Sequence, residues 1–390
     1  MKIKDRIGQY LKASTAGEVY STYIPQPLPP NPPLKLEKLY PLLEKANIAV
    51  GRLDGISNLL PDQELFLYMY IRKEAVLSSQ IEGTQSSLSD LLMYENEEIP
   101  GVPEYDVIEV SNYVAAMEHG LKRIQEGFPL CLRLFKEIHA ILLSKGRGHI
   151  KQPGEFRRSQ NWIGGTRPGN AKFVPPPPEK VIELLGELEL FLHNDQNLLP
   201  TLIKIALVHV QFETIHPFLD GNGRLGRLLI TFILCAEGLL NKPLLYLSLY
   251  FKTYRQQYYD HLQSVRETGD WESWLEFFLE GIIETANQAV KTAQLIIQLF
   301  TEDRQKIESL GRSSTSALMV HHYLEKHSIT DIAKIAKHCN TTIPTATKSV
   351  KHLETLGIVK EITGKERRKI YIYKKYLDIL NAGAGGFGDQ

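Results

Sequence analysis

The sequence predicts a mostly α-helical chain in two parts: a large helical core carrying one small β-hairpin, and a compact C-terminal unit of helices and strands. Three observations support this. Apolar residues recur at one-face helical spacing on both sides of a Gly-rich loop, with Leu202, Ile203, Ala206, Leu207 and Val210 before it and Leu225, Leu228, Leu229, Phe232 and Ile233 after it. Residues 145–178 break that pattern with Gly146, Gly148, Gly154, Gly164, Gly165, Gly169 and a closing run of four prolines. Finally, residues 311–380 carry 13 Lys+Arg against 6 Asp+Glu, in a chain whose formal net charge is zero.

Taken in order, residues 1–34 read as a turn-rich arm. The prolines of 24–33 exclude helix and favour extended polyproline II, draped on the next domain; an SH3-type ligand is the alternative. From Pro61 a helix is expected to about Glu82, with Asp62 as N-cap, Leu65, Tyr68, Met69 and Arg72 beginning one face, and Gly83 as the stop. Further helices are expected over 87–94, 106–126 and 130–144, with an acidic loop at 95–104. In the last of these, His139 shares an apolar face with Leu132, Phe135, Ile138 and Leu142 and reads as a core histidine.

Asn161–Ile163 and Lys172–Val174 read as two short strands of a hairpin, while Arg157 and Arg158 read as solvated charges. Helices follow over 179–195 and 199–213. Tyr246–Phe251 then leads to a helix with Tyr254, Tyr258, Tyr259 and Leu262, and Trp271, Trp274, Phe277 and Phe278 anchor a long helix over 271–300. The polar residues 302–314 read as a linker.

Beyond the linker, helices are expected at 315–327, 331–338 (capped by Asp331) and 344–357. Strands are expected at Ile358–Ile362 and Lys369–Tyr373. This unit, residues 311–380, resembles a winged helix-turn-helix, with the third helix as recognition helix and Gly364–Arg368 as wing tip. Its basic balance suits phosphate contacts to duplex DNA, with Thr345, Thr347, Lys348 and Lys351 available to a groove; a packing or dimerisation role is the alternative. Residues 381–390 read as a disordered Gly-rich tail.

The Gly-rich loop carries the chemistry. It reads His216-Pro-Phe218-Leu-Asp220-Gly221-Asn222-Gly223-Arg224-Leu225-Gly226-Arg227 and runs into the start of a helix. Glycines, with an asparagine that tolerates positive φ, let successive N–H groups converge on an anion, and the helix N-terminus adds positive potential. Arg224 and Arg227, three apart, share a face and can fork onto phosphate oxygens. Asp220 is a hard ligand suited to Mg²⁺ riding on phosphates, and His216 is a base within reach. Together they describe a polyphosphate site with a metal and a base.

These residues resemble the signature of the Fic family, His-x-Phe-x-(Asp/Glu)-Gly-Asn-Gly-Arg-x-x-Arg, at every fixed position. The resemblance covers roughly residues 10–300. It implies a Fic-type helical catalytic core over 105–300 that transfers AMP from ATP to a Tyr, Thr or Ser hydroxyl of a target protein. His216 would be the base, Phe218 the anchor of the loop, and Asp220 the Mg²⁺ ligand. The segment Gly221–Arg227, Leu225 and Gly226 included, would hold the phosphates, and Tyr258 and Tyr259 would lie near the adenine. The hairpin 161–174 would be the flap that pins the target by main-chain pairing. Within residues 1–104, Ser78, Glu82 and Gly83 resemble the family's (Ser/Thr)-x-x-x-Glu-(Gly/Asn) inhibitory helix, with Glu82 reaching Arg227. Other readings are removal of AMP by the same site, and a DNA-binding regulator that uses the core as a nucleotide sensor. Dimers are common in the family, so a homodimer is allowed.

The remaining bounds are broad. Cys131, Cys235 and Cys339 lie far apart, without metal spacing, which suits a reducing compartment. The start shows no apolar signal core, and the most apolar run, Leu228–Leu240, is interrupted by Glu237 and Gly238. A cytoplasmic protein without membrane contact is expected.

Overall fold

The computed structural model describes residues 3–15, 17–57, 63–95, 104–194, 199–364 and 369–381. The first departure from expectation is at the N-terminus, where a β-hairpin stands in place of a featureless arm. Strands β1 (Gln9–Thr15) and β2 (Glu18–Ile24) pair antiparallel from Gln9↔Ile24 to Thr15↔Glu18. The reason is local: aromatic and β-branched residues fill β2, Gly17 turns at φ 83°, and the prolines begin only after the strand ends. The proline segment lies against the core, with Arg6 donating to Pro32 O and Gln211 to Gln26 O.

Helix α1 (Tyr40–Ser57), which was not expected, packs along the long helix of residues 271–308. Gly51 and Gly55 lower its propensity, but both are exposed, and the stripe of Leu43, Ala46, Val50 and Leu53 is buried. Helix α2 (Gln63–Ile81) is the helix expected from Pro61; its expected N-cap, Asp62, lies outside the described residues. It ends at Gly83, whose φ of 99° suits glycine. Next come α3 (Leu88–Glu95), α4 (Glu104–Gln125) and α5 (Leu132–Leu142); most of the expected acidic loop is undescribed. In the flap region the two expected strands reduce to a single bridge, Ile163↔Phe173, because Gly164 and Gly165 turn the chain at once.

Helices α6 (Pro178–Leu192), α7 (Thr201–Ile215) and α8 (Asn222–Ala236) carry the motif between the last two. α7 is buried on nearly all sides, so it reads as apolar all round. α9 (Ser248–Thr253) and α10 (Arg255–Thr268) lead to α11 (Trp271–Glu308), 38 residues long.

The expected linker at 302–314 is therefore corrected: α11 continues through it to Glu308. Its polar residues are good helix formers, and Asp303 and Ile307 are buried against the C-terminal unit. That unit comprises α12 (Ser314–Lys326), β3 (Ile329–Asp331), α13 (Ile332–His338), α14 (Ile343–Thr355), β4 (Lys360–Glu361), β5 (Ile370–Ile372) and α15 (Lys374–Asn381). Its sheet has the order β3-β5-β4, antiparallel throughout. Asp331 caps α13 as expected, accepting from Lys334 N–H at 2.9 Å. The wing-tip residues 365–368 and the tail 382–390 fall outside the described residues. Helix α15, not expected, packs against both α11 and α2. Among the described residues no helix is long and apolar enough to cross a membrane.

Candidate active site

Helix α7 stops at His216, which adopts φ 50°, ψ 60°, a left-handed conformation costing about 1–3 kcal/mol for a residue with a Cβ. Arg157 holds it there. The guanidinium donates from Nε to His216 O at 2.9 Å and from its terminal nitrogens to the carbonyls of Ile215, Pro176 and Ser159. Arg157 is buried and clamps the loop; it is not a solvated charge, whereas Arg158 is exposed. Burial lowers its guanidinium to about 10, still charged at neutral pH. The same burial, aided by Arg157 and Arg266, pushes the His216 imidazole down to about 3. His216 is thus neutral, and its buried Nδ1 has no hydrogen-bond partner among the described residues.

The loop is braced from within. Phe218 is fully buried, as expected, and stacks on His139 with ring centroids 3.7 Å apart. Asn222 closes the turn: its Oδ1 accepts Phe218 N–H and its Nδ2 donates to Phe218 O, both at 2.8 Å. Its side chain is engaged by the loop itself, so it shapes the nest. His139 is the expected core histidine with an added task. Its Nδ1 accepts Gly154 N–H, so Nε2 carries the proton and donates to Asp220 O at 2.9 Å. Gly221 takes φ 77°, and its N–H donates to Asp220 Oδ1 at 2.6 Å.

Asp220 is the expected metal ligand, and its side chain is 41% exposed. Among the described residues no group of three or more potential ligands forms a metal centre. Mg²⁺ carried on phosphates needs only one or two protein carboxylates, so the half-open Asp220 fits that role.

Both motif arginines meet carboxylates. Arg224 is buried, 3.3 Å from Glu109 Oε2 and 3.6 Å from Asp220 Oδ1; Arg147 also binds Glu109, at 2.6 Å. Arg227 is buried on α2. Its Nε donates to Ser78 Oγ at 2.8 Å, and one terminal nitrogen donates to Ser78 O at 3.0 Å and to Glu82 Oε1 at 2.6 Å. Burial raises the Glu82 carboxyl, but the Arg227 guanidinium, with Arg224 behind it, outweighs it and holds it below the usual range. The carboxylate overlies the loop so closely that a Cβ on Gly223 would fall on Glu82 Oε1. Glu82 thus reaches Arg227, Ser78 holds the same guanidinium from one turn earlier, and Gly83 releases the helix just beyond.

Three expected site residues lie elsewhere. Leu225 is wholly in the core, and Gly226 faces Glu213, where a Cβ would meet its Oε1; both project from α8 away from the arginine face. Tyr258 is also core, sandwiched with Phe251 and donating its hydroxyl to His209 Nε2 at 2.9 Å, so it cannot stack on a base. Tyr259 is half-buried beside Arg255, which donates to Ile81 O at the end of α2.

Glu109, Arg157, Asn161 and Glu213 are site neighbours to which sequence reasoning gave no role at the loop. Asn161 Nδ2 donates to Phe218 O at 2.9 Å. Glu213 is buried near Arg227 with its Oε1 unpartnered among the described residues, and burial first, then Glu82, pushes its carboxyl up to about 7 despite Arg227.

A helical core thus brings a Gly-rich turn at the start of α8, two buried arginines and a neutral histidine together. Residues 40–122 match the family model described as Fic/DOC family N-terminal, and residues 129–234 match that of the Fic/DOC family; the chain belongs to this family. It is 35% identical over 154 residues to the protein adenylyltransferase Fic of Aedes aegypti, covering 39% of this chain and 27% of that protein. It is 30% identical over 190 residues to a probable protein adenylyltransferase of Aquifex aeolicus, covering 48% and 54%. The chain thus spans between about a quarter and about half the length of these curated relatives. A Fic family protein from Desulfovibrio desulfuricans superposes with a TM-score of 0.58 at 19% identity, over 89% of this chain and 98% of that one. A Fic domain containing signaling protein from Bacteroides thetaiotaomicron gives 0.51 at 19%, over 64% and 98%. At these identities the likeness is one of fold.

Proposed function

We propose that the chain transfers AMP from ATP to a hydroxyl of a target protein and that Glu82 restrains it. The observation carrying this reading is the Glu82–Arg227 contact above Gly223: a carboxylate occupies the guanidinium fork where a phosphate would lie. ATP phosphates would lie over the N-terminus of α8, with Gly223 N–H, Arg224 and Arg227 as donors. Mg²⁺, held by Asp220, would neutralise phosphate charge. The acceptor hydroxyl attacks the α-phosphorus, pyrophosphate departs, and His216 takes the hydroxyl proton. A neutral imidazole is the form that accepts; the phosphates bring negative charge beside it and raise its basicity. The curated relatives named protein adenylyltransferase support this reading.

The test is labelled ATP with a cell lysate. The His216→Ala protein should fold and bind ATP, yet label about 10²–10⁴-fold more slowly. Undiminished labelling would sink the assignment.

For residues 311–380 we infer a winged helix that binds duplex DNA. Thr345, Thr347, Lys348 and Lys351 are all exposed on α14, and the unit's basic balance supports phosphate contacts. The full chain should shift random duplex at low salt and lose affinity with a log–log slope near −0.9 per phosphate neutralised. Lys348→Glu with Lys351→Glu should abolish the shift; a full chain that shifts no duplex even at low salt would favour the packing role.

A further inference from the structure

Arg224 stands between two carboxylates. One terminal nitrogen lies 3.3 Å from Glu109 Oε2 and the other 3.6 Å from Asp220 Oδ1. The Arg224 and Glu109 side chains are 4% and 5% exposed, whereas Asp220 is half open. At 3.6 Å the Asp220 contact is longer than a hydrogen bond. Arg224 Nε is buried without a partner among the described residues, so the guanidinium is under-satisfied as it stands.

Glu109 is itself fixed from the far side. Arg147 Nε donates to its Oε1 at 2.6 Å, and a terminal nitrogen of Arg147 donates to Asp106 Oδ1 at 3.1 Å. Asp106 and Glu109 are three apart on α4 and share a face. Asp106 Oδ2 also accepts Gln85 N–H at 2.8 Å, just beyond the end of α2. Asn112, the next residue on that face, donates to Lys145 O at 2.9 Å and so holds the loop that carries Arg147. The same loop passes Asp220. A Cβ on Gly148 would lie 2.8 Å from Asp220 Oδ2, an oxygen that accepts no hydrogen bond among the described residues.

We propose that Glu109 is a positioning residue that holds Arg224 off Asp220, so that the Asp220 carboxylate stays available to a divalent cation. This rests on the transfer reading above, in which Asp220 holds the metal. Opposite charges four residues apart at the start of a helix attract one another. A closed Arg224–Asp220 pair would tie up the aspartate. Glu109 prevents it by offering Arg224 a second carboxylate on the buried side, where solvent screens least. Arg147 keeps that carboxylate aimed, taking one oxygen and leaving the other to Arg224. Gly148 leaves Asp220 Oδ2 uncovered. Without the Glu109 carboxylate, a buried guanidinium left unpaired turns to the next one at hand, which is Asp220.

The test uses the full chain with Glu82→Gly throughout and reads binding rather than labelling. The Kd for ATP is measured in Mg²⁺ and in EDTA, and the ratio of the second to the first reports what the metal adds. Asp220→Asn sets the floor of this ratio. Glu109→Gln should lower it about tenfold or more, toward that floor. Arg147, the closer arginine, takes the amide oxygen, and the amide N–H then faces Arg224. With Arg224→Gln in place, Glu109→Gln should no longer lower the ratio. Arg147→Gln disturbs the same cluster but leaves Glu109 wholly to Arg224, so it should not lower the ratio either. An unchanged ratio in Glu109→Gln, or a fall as large without Arg224 as with it, would overturn the proposal. So would an equal fall in Arg147→Gln, which would mark the cluster as structural only. If Glu109→Gln does not fold, Glu109→Asp takes its place, and its shorter side chain should lower the ratio in the same direction. If the parent's ratio is one, the metal role of Asp220 falls instead. Glu109 is then judged by a crystal structure of nucleotide-free Glu109→Gln. Arg224 should have closed on Asp220 to about 2.8 Å, and an unmoved Arg224 refutes the proposal.

Discussion

Arg227 donates to Glu82 Oε1 at 2.6 Å while the same guanidinium grips both oxygens of Ser78. Helix α2 is therefore fastened to the motif helix in two ways, of which only one involves the carboxylate. Glu74 ties α2 separately to α9 and α4, accepting from Ser248 and from Tyr113. Losing the carboxylate leaves α2 docked.

Glu82→Gly should therefore raise self-labelling and target labelling tenfold or more, if the pair is worth at least about 1.4 kcal/mol in place. Thermal stability should fall only slightly, and adding His216→Ala should silence the gain. The sign of the pH dependence comes from the lowered Glu82 pKa. A carboxyl held below its unfolded value stabilises its contact above that value and loses it as pH falls through the folded one. The ratio of variant to wild-type labelling should be flat from about pH 6 to 8. A ratio of one, or a ratio that collapses within that window, would refute the restraint.

Arg157→Ala should destabilise the fold by about 3 kcal/mol or more, because several buried carbonyls lose their donor together. Arg157→Lys should recover only part, since an ammonium lacks the planar fork. Urea titration measures both; a loss under about 1 kcal/mol for the alanine variant would mean that the clamp is dispensable.

Glu213→Gln should stabilise the protein at alkaline pH. The fold raises this carboxyl from 4.5 to about 7, so it favours the protonated form. The native state then binds more protons than the unfolded chain between those values, and stability declines as pH rises through them. The penalty reaches about 3 kcal/mol above pH 7, as an order of magnitude. The Tm difference between Glu213→Gln and wild type should grow from near zero at pH 4 to its maximum at pH 8, and a pH-independent difference would contradict the assignment.

Locality separates the features legible in the sequence from those it hid. The motif occupies twelve consecutive residues, and its arginine face is set by helical spacing, so the Gly-rich turn into α8, the place of His216 just before it and the buried Phe218 could be read directly. The same spacing turns Leu225 and Gly226 away, and treating the whole run as ligand overlooked that rotation. Glu82 was legible because its helix and its glycine stop were. Glu109 and Arg157 were not, since each is an ordinary charged residue far away in sequence whose meaning arises only when α4 and the flap region close on the loop. Tyr258 and Tyr259 are adjacent and alike in chemistry, yet one side of α10 faces the core and the other does not. Helix α1 was concealed by exposed glycines, and the end of α11 by polarity mistaken for looseness.

The length of α11 decides how the chain can be divided. Its C-terminal turns carry Asp303, buried and accepting from the Tyr373 hydroxyl at 2.7 Å, while Arg304 pairs with the buried Glu325 of α12. Its first turns carry Trp274, which donates to Ala206 O in the helix that delivers His216. One rod thus serves as wall to both units. A fragment beginning at residue 311 would bare the surface that Asp303 and Ile307 cover, and one ending at 300 would leave α15's berth on α2 empty. The boundary that composition suggests is a change of neighbours along a shared beam, so a cut at either place exposes surface that α11 or α15 now covers.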